Sequence, residues 1–145
     1  MTNHSNTKPP VWFWIISVIA LIWNAMGVMQ YLAQAYSTDS FKEQYTAEQL
    51  EMISNAPAWA TAAFALAVFG GLLGSLFLLL RKKTAYIFFL ISLVAVIVQL
   101  YHNFVVVDSM EIMGSIAAVM SGIIVGAAIL LLWYSKYAIK KGWIK

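Results

Sequence analysis

Residues 85–107 read AYIFFLISLVAVIVQLYHNFVVV, 23 positions without an Asp, Glu, Lys or Arg. Coiled as a helix, such a run extends about 33 Å, enough to cross the roughly 30 Å hydrocarbon core of a bilayer. Three further stretches, 11–32, 59–80 and 112–134, are equally free of charge over 22 or 23 residues each. Across the chain 62% of residues are hydrophobic and 10% charged, where soluble domains carry about a quarter charged residues. The expected fold is all-α: a single domain over residues 1–145, built as an integral membrane bundle of four antiparallel transmembrane helices.

The charges lie between these runs, and their sign alternates. Lys8, the turn Arg81-Lys82-Lys83 and the four lysines Lys136, Lys140, Lys141 and Lys145 hold eight of the nine basic residues. The connections after the first and third runs hold all six acids: Asp39, Glu43, Glu48 and Glu51 in one, Asp108 and Glu111 in the other. By the positive-inside rule the basic side faces the cytoplasm, so both termini are cytoplasmic. Trp12, Trp14, Trp59, Trp133, Tyr134 and Tyr137 fall near the span boundaries, as interfacial aromatic belts do. A net charge of +3 distributed this way reflects topology, and no nucleic-acid partner is expected. With no cysteine in the chain, disulfides, thiolate chemistry and cysteine-ligated metals are excluded.

The connection 33–58 is the longest. Thr46-Ala47-Glu48-Gln49 has the form of a capping box, and Asn55 with Pro57 would stop the short helix it opens, so an interfacial helix on the outer surface is expected. Ala33-Gln34-Ala35 has the form of a signal-peptide cleavage site, but the preceding apolar run is longer than the 7–15 residues usual for one, so the first span is read as uncleaved. Asn3-His4-Ser5 matches a glycosylation sequon on the side where that modification does not occur.

Two features repeat or cluster. Gly70-x-x-x-Gly74 precedes Leu78-Leu79-Leu80, and Gly122-x-x-x-Gly126 precedes Leu130-Leu131-Leu132 at the same offset. Small residues at i and i+4 let helix backbones approach closely, so both are candidate packing seams, within the bundle or between subunits. In the third run Ser92, Gln99, His102 and Asn103 share one helical face, while Asn24, Gly27, Tyr31 and Gln34 share a face of the first. Glu111, Ser115, Ala118 and Gly122 form a small or polar stripe on the fourth, and Thr61 stands near the start of the second. These groups lie from mid-membrane to the outer side. They read either as an outward-facing polar vestibule, with Asn24, Tyr31, Gln99, His102 and Asn103 as candidate ligands, or as interhelical packing contacts.

No P-loop, nucleophile elbow, zinc-protease helix or dinucleotide fingerprint occurs. Bis-histidine haem would need both His102 and His4, which lie on opposite sides. A metal set of His102, Asp108 and Glu111, or a proton relay from His102 toward Asp108, matches no motif, and no cofactor, metal or catalytic residue is expected.

The run PAWATAAFALAVFGGLLGSLFLLLRKKTAY at 57–86, with WNAMGVMQYL at 23–32, resembles a family of small four-span bacterial inner-membrane proteins of unknown function, some carrying the label "sugar transporter". The resemblance covers about two-thirds of the chain, and its most specific pieces are Trp23-Asn24, Pro57-Ala58-Trp59 and the Gly70–Gly74 segment. It implies a bacterial cytoplasmic membrane. Two functions are therefore expected as alternatives. One is a small transporter, or transporter subunit, for a polar, sugar-like solute. The other is a non-transporting protein that assembles with itself or with a membrane partner through its glycine seams.

Overall fold

The structure, a computed structural model, describes residues 8–106, 111 and 114–145. Every element among them is helical: α1 (Val11–Tyr36), α2 (Asp39–Glu43), α3 (Ala47–Ser54), α4 (Ala58–Leu79), α5 (Thr84–Tyr101) continued by a π-helical turn (His102–Val106), and α6 (Ser115–Lys140). Four of these, α1, α4, α5 with its π turn, and α6, are long and apolar enough to cross a membrane. Asn3, His4 and Asp108 lie outside the described residues.

Local chemistry accounts for the boundaries. Pro10 and Pro57 stand in extended conformation at the starts of α1 and α4, where a missing N–H costs nothing. The capping box forms: the Gln49 N–H donates to Thr46 Oγ1 at 3.2 Å, and the Thr46 N–H donates to Gln49 Oε1 at 3.0 Å. Asn55 ends α3, as its position before Pro57 implies. The preceding α2 is capped by Thr38, whose hydroxyl accepts from the Phe41 N–H, and it buries Phe41. α1, α4 and α6 end in the same way. The N–H groups of Thr38, Lys82 and Trp143 reach back to the carbonyls of Ala33, Phe77 and Ala138, with Ser37, Arg81 and Gly142 in the left-handed region between. Such a turn is natural for Gly142, whereas Ser37 and Arg81 adopt it against a steric cost of about 1–2 kcal/mol each.

The principal helix contacts run α1–α4, α4–α5 and α5–α6, so each long helix packs on its sequence neighbour. Phe13 near the start of α1, Leu78 at the end of α4, Ala85 at the start of α5 and Tyr134 near the end of α6 share one cluster, which makes successive long helices antiparallel. α4 is the central element. Its Gly70 and Gly74 face α5, where an added Cβ would come within 3.2 Å of the Phe88 carbonyl and 2.8 Å of the Phe89 ring. On its other side a Cβ at Gly71 would overlap the Asn24 amide of α1. Hydrogen bonds cross both seams: the Ser92 hydroxyl donates to the Ala67 carbonyl at 2.6 Å, and Asn24 Nδ2 donates to Ser75 Oγ at 3.1 Å. Gly122 and Gly126 of α6, by contrast, have open space where a Cβ would stand.

Candidate functional site

Away from the Phe13–Tyr134 cluster, the long helices spread around a half-open cavity of about 500 Å³. One wall is α1, through Gln30 and Gln34, and the facing wall is α6, through Ile116, Met120 and Ser121. Between them stand Thr61 and Phe64 of α4 and Gln99, His102 and Asn103 of α5 and its π turn. Gln44, Tyr45, Gln49, Met52 and Ile53, from the α2–α3 segment, complete the enclosure, and Gln30 Nε2 donates to the Tyr45 hydroxyl at 3.3 Å to tie that segment to α1.

The lining has a compositional signature. The chain contains five glutamines, Gln30, Gln34, Gln44, Gln49 and Gln99, and all five line this cavity together with Asn103. Each carboxamide offers two donors and an acceptor with no formal charge. Among the described lining residues there is no Asp, Glu, Lys or Arg. Such a wall can match hydroxyl and amide groups in either hydrogen-bonding sense, whereas an ion stripped of water would meet no counter-charge there.

His102 opens the π turn, a local widening of the helix that recurs at functional sites. Its side chain is 5% exposed, and its ring meets that of Trp59 edge-on, with centroids 5.3 Å apart. His102 Nδ1 lies 3.3 Å from Asn103 Oδ1.

The expected polar cluster divides. Gln99, His102 and Asn103 come together in the cavity wall. Asn24 does not join them: it sits about two turns nearer the middle of α1 than Gln30, where it donates to the Ala20 carbonyl at 2.8 Å and to Ser75. Ser92 likewise belongs to the α4–α5 seam. Tyr31 packs edge-on against Phe64 and Phe69, one layer behind the lining. Of the metal set considered above, His102 and Glu111 are described and Asp108 is not. Gln44, Tyr45, Gln49 and Ser121 were not marked by helical periodicity, because three of them lie in the α2–α3 segment. The usable signal was distribution: glutamine is absent from the sequence beyond Gln99 and from all three basic segments.

Comparison with family models, with curated proteins and with solved structures finds no match, so the geometry has to be read on its own terms.

Proposed function

We propose that this chain is a four-span protein of a bacterial inner membrane, both termini cytoplasmic, whose outward-facing vestibule binds a small neutral polar solute as a transporter or transporter subunit. The observation that carries the reading is the placement of all five glutamines in the lining of one cavity. Intramembrane polar groups are scarce because they are costly, and Gln30, Gln99 and Asn103 at the outer ends of the spans are met here by Gln34, Gln44 and Gln49 from the connection. The volume lies within the range of small-molecule sites, about 300–1,000 Å³. The uncharged lining favours a sugar-like polyol or a neutral amide over an ion. The alternating charge of the connections supports the orientation, and the vestibule lies at the acidic end.

The test is the melting temperature of the detergent-purified chain against sugars, polyols, small amides and divalent metals. A solute that binds the folded state alone, at a hundredfold its Kd, stabilises by about 2.7 kcal/mol. The expected result is a shift with a neutral solute that is lost in Gln99→Ala and His102→Ala and kept in Asn24→Ala, whose baseline alone falls. A wild type that no solute shifts, or equal shifts in both cavity variants, defeats the reading.

The second reading is assembly with a second copy or a membrane partner. One observation favours it: Gly122 and Gly126 present their close-approach pattern to open space.

A further inference from the structure

The end of the bundle opposite the cavity is closed by a different device. After Gly142 turns the chain back at the end of α6, residues 143–145 run beside the α4–α5 turn. Arg81 Nε donates to the Trp143 carbonyl at 2.8 Å, the Lys145 N–H donates to the Arg81 carbonyl at 3.1 Å, and the Lys83 N–H donates to the Lys145 carbonyl at 2.9 Å. Trp143 and Ile144 are 6% and 2% exposed, although they belong to a four-residue segment flanked by lysines. The Trp143 ring joins helices that are not principal neighbours. Its centroid lies 5.2 Å from that of Trp12 and 5.8 Å from that of Phe13 on α1, and 5.4 Å from that of Tyr137 on α6.

α1 and α6 therefore stand apart as opposite walls of the cavity at one end. At the other they meet, through Tyr134, whose ring centroid lies 5.8 Å from that of Trp12 and 6.2 Å from that of Phe13, and through Trp143, which packs across both helices. Two further observations mark the bridged end. Ser17 Oγ and Tyr134 OH are both buried there without a hydrogen-bond partner among the described residues, and an opening of this end would supply them with water. Lys82, Lys83, Lys140, Lys141 and Lys145 carry like charge on the segments that the closure draws together, and ring packing with the hydrogen bonds of the 81–83 turn holds those segments side by side.

We propose that residues 142–145, hydrogen-bonded to the 81–83 turn and packed through Trp143 on Trp12, Phe13 and Tyr137, are a latch that holds the basic end of the bundle shut, and that its release opens this end to the solute. The inference rests on the transport reading, since a closed end matters only to a path that crosses the bundle. The latch and the vestibule then lie at the two ends of one wedge.

The chain has no cysteine, so single-cysteine variants report one position each. Full-length Ser17→Cys is labelled in inverted membrane vesicles with a membrane-impermeant maleimide, with Thr61→Cys in the vestibule, labelled from the opposite side in intact cells, as the indicator of a preserved fold. Ser17→Cys is expected to react slowly, and about tenfold faster or more when combined with Trp143→Ala, because its rate follows the population of the open end. Thr61→Cys is expected to keep its rate. If Trp143→Ala alters the Thr61→Cys rate as well, the decision passes to Arg81→Lys, which keeps the charge but lacks the Nε donor. A faster Ser17→Cys reaction in that background supports the latch, and an unchanged one overturns it. Rapid labelling with the latch intact, or no acceleration in Trp143→Ala with Thr61→Cys unchanged, also overturns it. Solute binding is read separately as a thermal shift: a shift that persists while the latch variants have no effect overturns the latch alone. Acceleration without any solute binding keeps the opening and defeats the transport reading instead.

Discussion

α4 and α6 carry the same small-residue pattern followed by the same leucine triplet, yet the two helices use it in opposite ways. On α4, Gly70 and Gly74 bring the backbone against α5, and the adjacent Gly71 admits Asn24 of α1, so this helix is enclosed on two sides. On α6, Gly122 and Gly126 meet nothing among the described residues within reach of a Cβ, and the contacts of that helix with α5 pass through residues such as Val125, which packs beside Ala67, Ala95 and Val96. A Gly-x-x-x-Gly pattern thus states that a helix can be approached closely and leaves open by what. The neighbours decide: α4 packs between α1 and α5, whereas the principal helix contact of α6 is with α5 alone.

The largest expected effect breaks the α4 side of this comparison. Gly71→Leu would drive a side chain into the Asn24 amide, and Gly74→Leu would drive one into the Phe89 ring. Overpacking of a filled interior costs about 1–3 kcal/mol, and these two variants are expected at the upper end of that range, read as lowered unfolding midpoints of the purified protein. Asn24→Ala should have a smaller effect. It relieves no overlap and removes a contact to Ser75, for which interhelical polar pairs in membrane proteins average about 0.6 kcal/mol and reach about 1.7 kcal/mol. If Asn24→Ala instead abolished solute-induced stabilisation while leaving the unfolding midpoint unchanged, the assignment of Asn24 to the seam would be wrong.

The reach of sequence reasoning differed between these regions for physical reasons. Long charge-free runs, prolines at helix starts and the Thr46–Gln49 box act within a few residues: the helices they imply begin at Val11 and Ala47 as expected, and at Ala58, one residue before the expected 59. Helix ends were less legible. α1 continues one turn beyond residue 32 and α6 runs on to Lys140, because Ala33-Gln34-Ala35 and Ala138-Ile139 sustain a helix after the apolar run has ended. α2 was not anticipated; it depends on Thr38 capping and on a pocket for Phe41. Asn24 shared a helical face with Gln34 and so was grouped with the vestibule, but a shared face extends the whole length of a helix and says nothing of depth. Its partner Ser75 lies 51 residues away, and only the α1–α4 packing reveals the pair. Gln44, Tyr45 and Gln49 reach the cavity because α2 and α3 fold back over it, a tertiary event that leaves no periodicity in the segment itself.

The smallest expected effect sharpens the other side of the comparison. Gly122→Leu and Gly126→Leu meet open space, and glycine is about 0.8–1.0 kcal/mol less favourable in a helix than alanine, next to which leucine ranks, so the folded monomer should lose nothing and gain modestly in stability. Measured in dilute detergent, their unfolding midpoints should match or exceed that of the unaltered chain, in direct contrast to Gly74→Leu. The same variants, examined for association by crosslinking in native membranes, separate the remaining readings of α6. An exposed face that merely touches lipid accepts a leucine as readily as any other apolar residue, so association is unchanged. A face that another helix approaches closely does not accept one, because the side chain holds the backbones apart and the small-residue contact is lost. A fall in association without a fall in monomer stability would therefore assign the open glycines to assembly, a result that the α4 glycines, already enclosed, cannot produce.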